Sequence, residues 1–232
     1  MKRFDQSQNI YDPAFVRDLF DEMGKTYGWV NLFSSFGFAH RWRRQCVAQL
    51  QLEHGDLVCD MMSGQGESWS FIFEELGASG QLLAFDISGT MTRKSLQHHK
   101  AANVSHLSIQ NALTTALADN SFDAVACTFG LKTMAQPQTE QLASELKRVL
   151  KPGGRFAFVE ISRPPSLLLR APYFFDVLDI IPLVGALFLG NPDTYRLLWH
   201  YTNRFENARK ARSIFEESGL STKYEDLFYG CA

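Results

Sequence analysis

The hydrophobic positions change their period along the chain. Within residues 12–53 they recur at helical spacing. Phe15, Leu19 and Met23 share one stripe in PAFVRDLFDEMGKTY, and Trp42, Cys46 and Leu50 share another in HRWRRQCVAQLQL, with Val47 beside them. Past Gly55 short apolar runs alternate with helical stretches. LVCDMM, QLLAFDIS, VSHLSIQN, DAVACTFG and RFAFVEIS read as strands. ESWSFIFEELG, GTMTRKSLQHHKAA and TEQLASELKRVLK read as helices, stopped in two cases by Gly77 and by Pro152-Gly153-Gly154. A last helix, ENARKARSIFEESGL, precedes a tail expected to carry late strands.

This alternation predicts an α/β fold: a doubly wound, mostly parallel, seven-stranded Rossmann-like sheet covered on both faces. One domain over 1–232 is expected. Its parts are an N-terminal helical cap (1–53), a core (54–163), an apolar insertion (164–204) and a C-terminal helix with strands (205–232). Residues 171–190, APYFFDVLDIIPLVGALFLG, are apolar but broken by Asp176, Asp179 and Pro182. That is too interrupted for a membrane span. Pocket wall, dimer contact and membrane-facing surface all fit its composition.

At 45% hydrophobic residues the chain can bury a large core, and 19 phenylalanines suit an apolar pocket as well. A net charge of −2, from 23 basic and 25 acidic residues, argues against a bulk nucleic-acid binder. The four cysteines form no CxxC pair, so neither a zinc site nor a disulfide framework is expected. The opening MKRFDQSQNIYD lacks the apolar core of a secretion signal, which points to the cytoplasm, with peripheral membrane contact as a variant.

The first strand runs into Gly64-Gln65-Gly66. In a doubly wound sheet, glycines at that place let the backbone turn tightly and approach a ligand at the strand ends, although a plain turn reads the same way. Asp86 ends the second strand, 20 positions beyond Gly66. An acid there can accept both hydroxyl hydrogens of a ribose, or it can cap the next helix. Trp69 stands where a dinucleotide site carries its third glycine, and Glu67 places a negative charge where a pyrophosphate would lie. The site thus favours a nucleoside with a cationic or zwitterionic tail, which describes S-adenosylmethionine (SAM). At the end of the third strand Asn111 and the Ala112 N–H can meet adenine; Asn111 also reads as an ordinary turn residue.

Together these residues resemble a class I SAM-dependent methyltransferase, and in particular the UbiE/COQ5 family, whose members C-methylate quinone precursors. The resemblance runs from about Val16 to Leu227. VRDLFDEMGKTYGWVNLFSSFGFAHRWRR is its most specific stretch, with Phe20, Tyr27, Asn31, Ser35, Gly37, Trp42 and Arg43 in register. NALTTALADNSFDAVACTFGLK, LKRVLKPGGRFAFVEISRP, NPDTYRLL and FEESGL, with Tyr195 in register, carry the rest. It implies SAM held by Gly64, Gln65, Gly66, Asp86, Asn111, Ala112 and Thr128, with no metal. The N-terminal helices and the insertion would cap an apolar acceptor pocket.

Departures cluster on the acceptor side. The family's Tyr-Asp is Tyr27-Gly28, its Phe-Gly-Leu-Arg-Asn is Phe129-Gly130-Leu131-Lys132-Thr133, and its tail pairs are Leu197-Leu198 and Tyr201-Thr202. A ring carbon needs its phenol deprotonated before it attacks, so a base or a cation is required. Lys132 is the candidate for stabilising that anion, or else a solvated loop lysine. His200 and Tyr201 are candidates for removing the proton, or half-buried structural residues, and Tyr27 can close over the methionine end of SAM. His40 reads as structural, and His98 and His99 as exposed. The expected activity is methyl transfer to an apolar quinol- or phenol-like ring. Alternatives are O-, N- or C-methylation of a lipid or specialised metabolite, and a SAM-fold protein that transfers nothing.

Overall fold

The computed structural model describes residues 9–25, 27, 28, 35, 37–98, 104–170, 183 and 192–232, without the side chains of 104–106 and 192–195. The readings placed on Asn31, on the Tyr195 side chain and on most of the apolar segment 171–190 lie outside them. Leu167 and Leu168, just before that segment, are exposed. Among the described residues no helix is long and apolar enough to cross a membrane.

Helix α1 (Pro13–Met23) starts where the Asp12 carboxylate accepts from the N–H groups of Ala14 and Phe15, with proline in the first turn. Helix α2 (Phe38–Ala48) follows. The core then alternates: β1 (Leu57–Met61), α3 (Trp69–Leu76), β2 (Gln81–Asp86), α4 (Gly89–His98), β3 (Val104–Ile109), β4 (Phe122–Thr128), α5 (Gln136–Val149) and β5 (Leu150–Val159). Helices α6 (Pro192–Phe205) and α7 (Arg209–Glu217) complete the described elements, with short 3-10 turns at Leu131–Thr133 and Phe228–Gly230.

The five strands form one parallel sheet in the order β3-β2-β1-β4-β5. Both faces are covered. Val58, Ala84, Ala124 and Ala126 pack with Trp42, Val47, Trp69 and Ile72. Cys59, Phe85, Val125 and Cys127 pack with Leu142, Leu146, Ala211 and Phe215. Strand order reverses between β1 and β4, which fixes the ligand crevice above their carboxyl ends.

Five strands are described, and the seven expected are not confirmed. Among the described residues the tail holds no strand. Phe228, Tyr229 and Gly230 take φ of 43°, 58° and 81°, three successive left-handed residues that end any extended run. The chain turns back instead, with the Leu227 N–H donating to the Ala232 carbonyl and the Ser162 N–H to that of Cys231.

Candidate active site

The crevice is shaped by two strand ends that leave the sheet the same way. Met62, after β1, has φ 56°, and Phe129, after β4, has φ 65°. Left-handed backbone costs a non-glycine residue roughly 1–2 kcal/mol, so both turns are held by their surroundings. Gly130 must be glycine for space, since a Cβ there would lie 2.8 Å from the Met62 sulfur.

The Gly64-Gln65-Gly66 turn sits directly above. Gly64 has φ 58° and Gly66 φ 79°. A Cβ on Gly66 would lie 2.7 Å from the indole of Trp69, which is fully buried beneath the turn. The indole Nε1 donates to Asp60 Oδ2 at 2.9 Å. Gln65 is buried too, and its amide donates to the Gly24 carbonyl at 2.8 Å, tying the turn to the end of α1.

Asp86 closes the other side. Its Oδ2 accepts from the Gly64 N–H at 2.9 Å, and its Oδ1 from the Ser88 N–H at 2.8 Å. An ionised carboxylate has about four acceptor sites, so two remain for ligand hydroxyls. From α1, Asp21 accepts from the Ser88 hydroxyl at 2.6 Å and the Thr90 N–H at 2.8 Å, seating the N-terminal helix on the start of α4.

Val16, Phe20, Tyr27, Met62, Met91 and Phe129 give the cleft apolar walls, and Ser63, Gly64, Glu67, Asp86, Thr128 and Arg43 give it polar ones. The space it encloses for a water-sized sphere is about 60 Å³. The charges are those a cation would relieve. Burial raises Asp60 to about 8 and Asp86 to about 6, and the negative charge of Glu67 pushes both further. Four buried polar atoms around the turn lack hydrogen-bond partners: Arg43 Nε, Asp60 Oδ1, Ser63 Oγ and Glu67 Oε1. Acids beside one guanidinium match a nucleoside carrying a sulfonium, an ammonium and a carboxylate. The residues present therefore fit SAM.

The residues expected from sequence fall into two groups. Gly64, Asp86, Thr128 and Tyr27 line the cleft, Gln65 and Gly66 complete the turn that Gly64 begins, and the Thr128 hydroxyl lies 3.1 Å from that of Ser68. Asn111 and Ala112 are not among the lining residues; they follow Gln110, just past β3, whose N–H donates to the Asp86 carbonyl at 3.1 Å, and Asn111 Oδ1 accepts from the Leu113 N–H at 3.0 Å.

Lys132, His200 and Tyr201 are not among the lining residues. Lys132 is buried, its Nζ 2.8 Å from Glu160 Oε1 and also donating to the Phe129 carbonyl. The Tyr201 hydroxyl is buried against the Ile10 carbonyl, with its ring edge-on to Tyr11. His200 is half-buried on α6, and burial followed by the Arg204 charge lowers its pKa. Arg43, Asp60 and Trp69 were not identified as site residues from sequence. The available signal for Arg43 was a charge at a core-facing position of HRWRRQCV, and for Asp60 an acid inside an apolar strand.

The profile of the ubiE/COQ5 methyltransferase family matches residues 6–232. A demethylmenaquinone methyltransferase of Lactiplantibacillus plantarum is 30% identical over 94% of this chain and 92% of its own. The ubiquinone/menaquinone biosynthesis C-methyltransferase UbiE of Pseudoalteromonas translucida is 27% identical over 94% of this chain and 87% of its own. Among solved structures, a geranyl diphosphate methyltransferase in complex with GPP and sinefungin superposes with TM-score 0.52 at 14% identity, covering 77% of this chain and 58% of that one, a likeness of fold.

Proposed function

Because the chain belongs to the ubiE/COQ5 methyltransferase family and is a SAM-dependent methyltransferase, we propose that it C-methylates an apolar quinol- or phenol-like ring. The observation carrying this is the end-to-end similarity to a demethylmenaquinone methyltransferase. The apolar side of the cleft, with Phe20, Tyr27, Met62 and Phe129, is the kind of wall such a ring needs.

SAM, when bound, supplies a methyl group on a positively charged sulfur. The protein's part is alignment and exclusion of water. Asp86 would accept the ribose hydroxyls while the Gly64 N–H keeps its carboxylate in place. Gly64, Gln65 and Gly66 would bring backbone close to the methionyl portion. Asn111 and Ala112 would flank the adenine, and Thr128 would border the cleft floor. Tyr27, beside Phe20, would close the apolar wall over the acceptor and keep water from the reacting carbon. His200 lies on α6 outside the cleft lining, so its position gives it no proton-removing role.

The test is incubation of the protein with methyl-labelled SAM and a panel of naphthoquinols, benzoquinols, simple phenols and lipid amines. Label on a quinol ring carbon is the expected result. Label only on oxygen or nitrogen of another acceptor would favour the second reading, a methyltransferase of a different small molecule. That reading draws on Lys132, which spends its charge on Glu160.

A further inference from the structure

Arg43 is a buried charge with no hydrogen bond or ion pair among the described residues, and Asp60 acts on it only through space. It lies on the buried face of α2, between Ala39 and Trp42 on one side and Cys46 and Val47 on the other, and is 5% exposed. Its guanidinium stands over the Phe129 ring at 4.7 Å. Its Nε is buried without a hydrogen-bond partner, and among the described residues no carboxylate pairs with it. A guanidinium keeps its proton at any working pH. Removing such a charge from water is costly, and a ring beneath it offsets only part of that cost. The deficit is placed where a ligand can reach it, since Arg43 lines the cleft beside Ser63, Gly64, Glu67 and Phe129.

We propose that Arg43 is an oxyanion-binding residue of the cleft, its planar donors meeting an anionic oxygen over Phe129. Lys132, the other buried cation near this point, is already engaged by Glu160. Two molecules can bring the required chemistry: the cofactor through its α-carboxylate, and the acceptor through an ionised ring hydroxyl. The second source rests on the proposed acceptor class and the first does not. Phe129 lines the same cleft under the guanidinium, so an oxygen held by Arg43 would lie beside its ring in either case.

The test begins with the unaltered protein. Calorimetry gives the affinity for S-adenosylhomocysteine and for its decarboxylated analogue, then for 2-hydroxy-1,4-naphthoquinone, an anion at pH 7, and its neutral 2-methoxy ether. The same four titrations follow on Arg43→Met and Arg43→Lys. A charge-assisted contact predicts that the unaltered protein prefers the anionic member of one pair about ten- to hundredfold. Arg43→Met erases that preference, and Arg43→Lys restores part of it. Preference within the nucleoside pair assigns the cofactor carboxylate, and within the naphthoquinone pair the ring oxyanion. If the unaltered protein prefers neither anion, the proposal is overturned even if Arg43→Met fails to fold. A preference that survives in a folded Arg43→Met protein overturns it too. Failure to methylate any quinol would count against the acceptor assignment, and the nucleoside pair would still decide Arg43.

Discussion

The indole of Trp69 donates to the buried carboxyl of Asp60 across 2.9 Å while its ring fills the space under Gly66. In a dinucleotide fold a third glycine at this place lets a phosphate approach the helix. Here a large ring occupies it, and an acid from the first strand holds the ring in position.

That acid makes stability depend on pH in an unusual direction. Burial lifts Asp60 to about 8 in the folded protein, against about 4 in an unfolded chain. Between those values the unfolded state has lost a proton that the native state keeps. Stability therefore falls as pH rises through the window, and the full cost applies above it. Asp60→Asn keeps an acceptor for Trp69 and removes the titration. The variant should melt higher than the unaltered protein at pH 9, with the difference closing towards pH 4. Parallel melting curves at both ends would show that Asp60 does not carry this burden.

Cofactor binding should expel that proton. A sulfonium and an ammonium brought near Asp60 favour its ionised form. Calorimetry at pH 7 in buffers of different ionisation enthalpy is expected to reveal net proton release on SAM binding, absent in Asp60→Asn. An apparent enthalpy independent of buffer in the unaltered protein would contradict this.

Asp86, raised to about 6 mainly by burial, is ionised at neutral pH and progressively protonated below it. SAM affinity is expected to weaken as pH drops from 7 to 5. Asp86→Ala should lose about ten- to hundredfold in affinity at pH 7, as two charge-assisted contacts disappear. Unchanged affinity in that variant would remove Asp86 from the site.

Lys132 and Glu160 stabilise each other in an interior that tolerates neither alone. Lys132→Met should cost about 3–5 kcal/mol by stranding Glu160, and Lys132→Met with Glu160→Gln should recover part of it. The Lys132 N–H donates to Oε2 and the Ile161 N–H to Oε1, and Gln keeps one of these two acceptors. Normal turnover in the folded double variant would exclude Lys132 from the chemistry, and loss of turnover with intact SAM binding would give it a part.

Tyr201→Phe removes a buried hydroxyl that donates to the Ile10 carbonyl, at an expected cost of about 1 kcal/mol in stability with turnover retained. His200 lies outside the cleft lining as well, so His200→Gln should leave the pH–rate profile unchanged. Loss of turnover in either folded variant would give that residue the proton-removing role.

The sequence by itself determined the alternation of strands and helices, the glycine turn and the acid closing the second strand. All of these are local: period, punctuation and spacing are written within a few residues of where they act. That the described tail holds no strand was not readable, because it turns on left-handed backbone at Phe228 and Tyr229 that no residue type announces. The same holds for Met62 and Phe129, whose turns shape the crevice. Tertiary structure also decided the partners of the charged groups. Lys132 finds Glu160, from 28 positions away, and Tyr201 finds Ile10, from 191 positions away, so both spend their polar atoms inside the fold. Arg43 finds no such partner among the described residues and lines the cleft. Whether a buried charge is structural or functional depends on what lies across the interior from it, and only the folded chain brings those residues together.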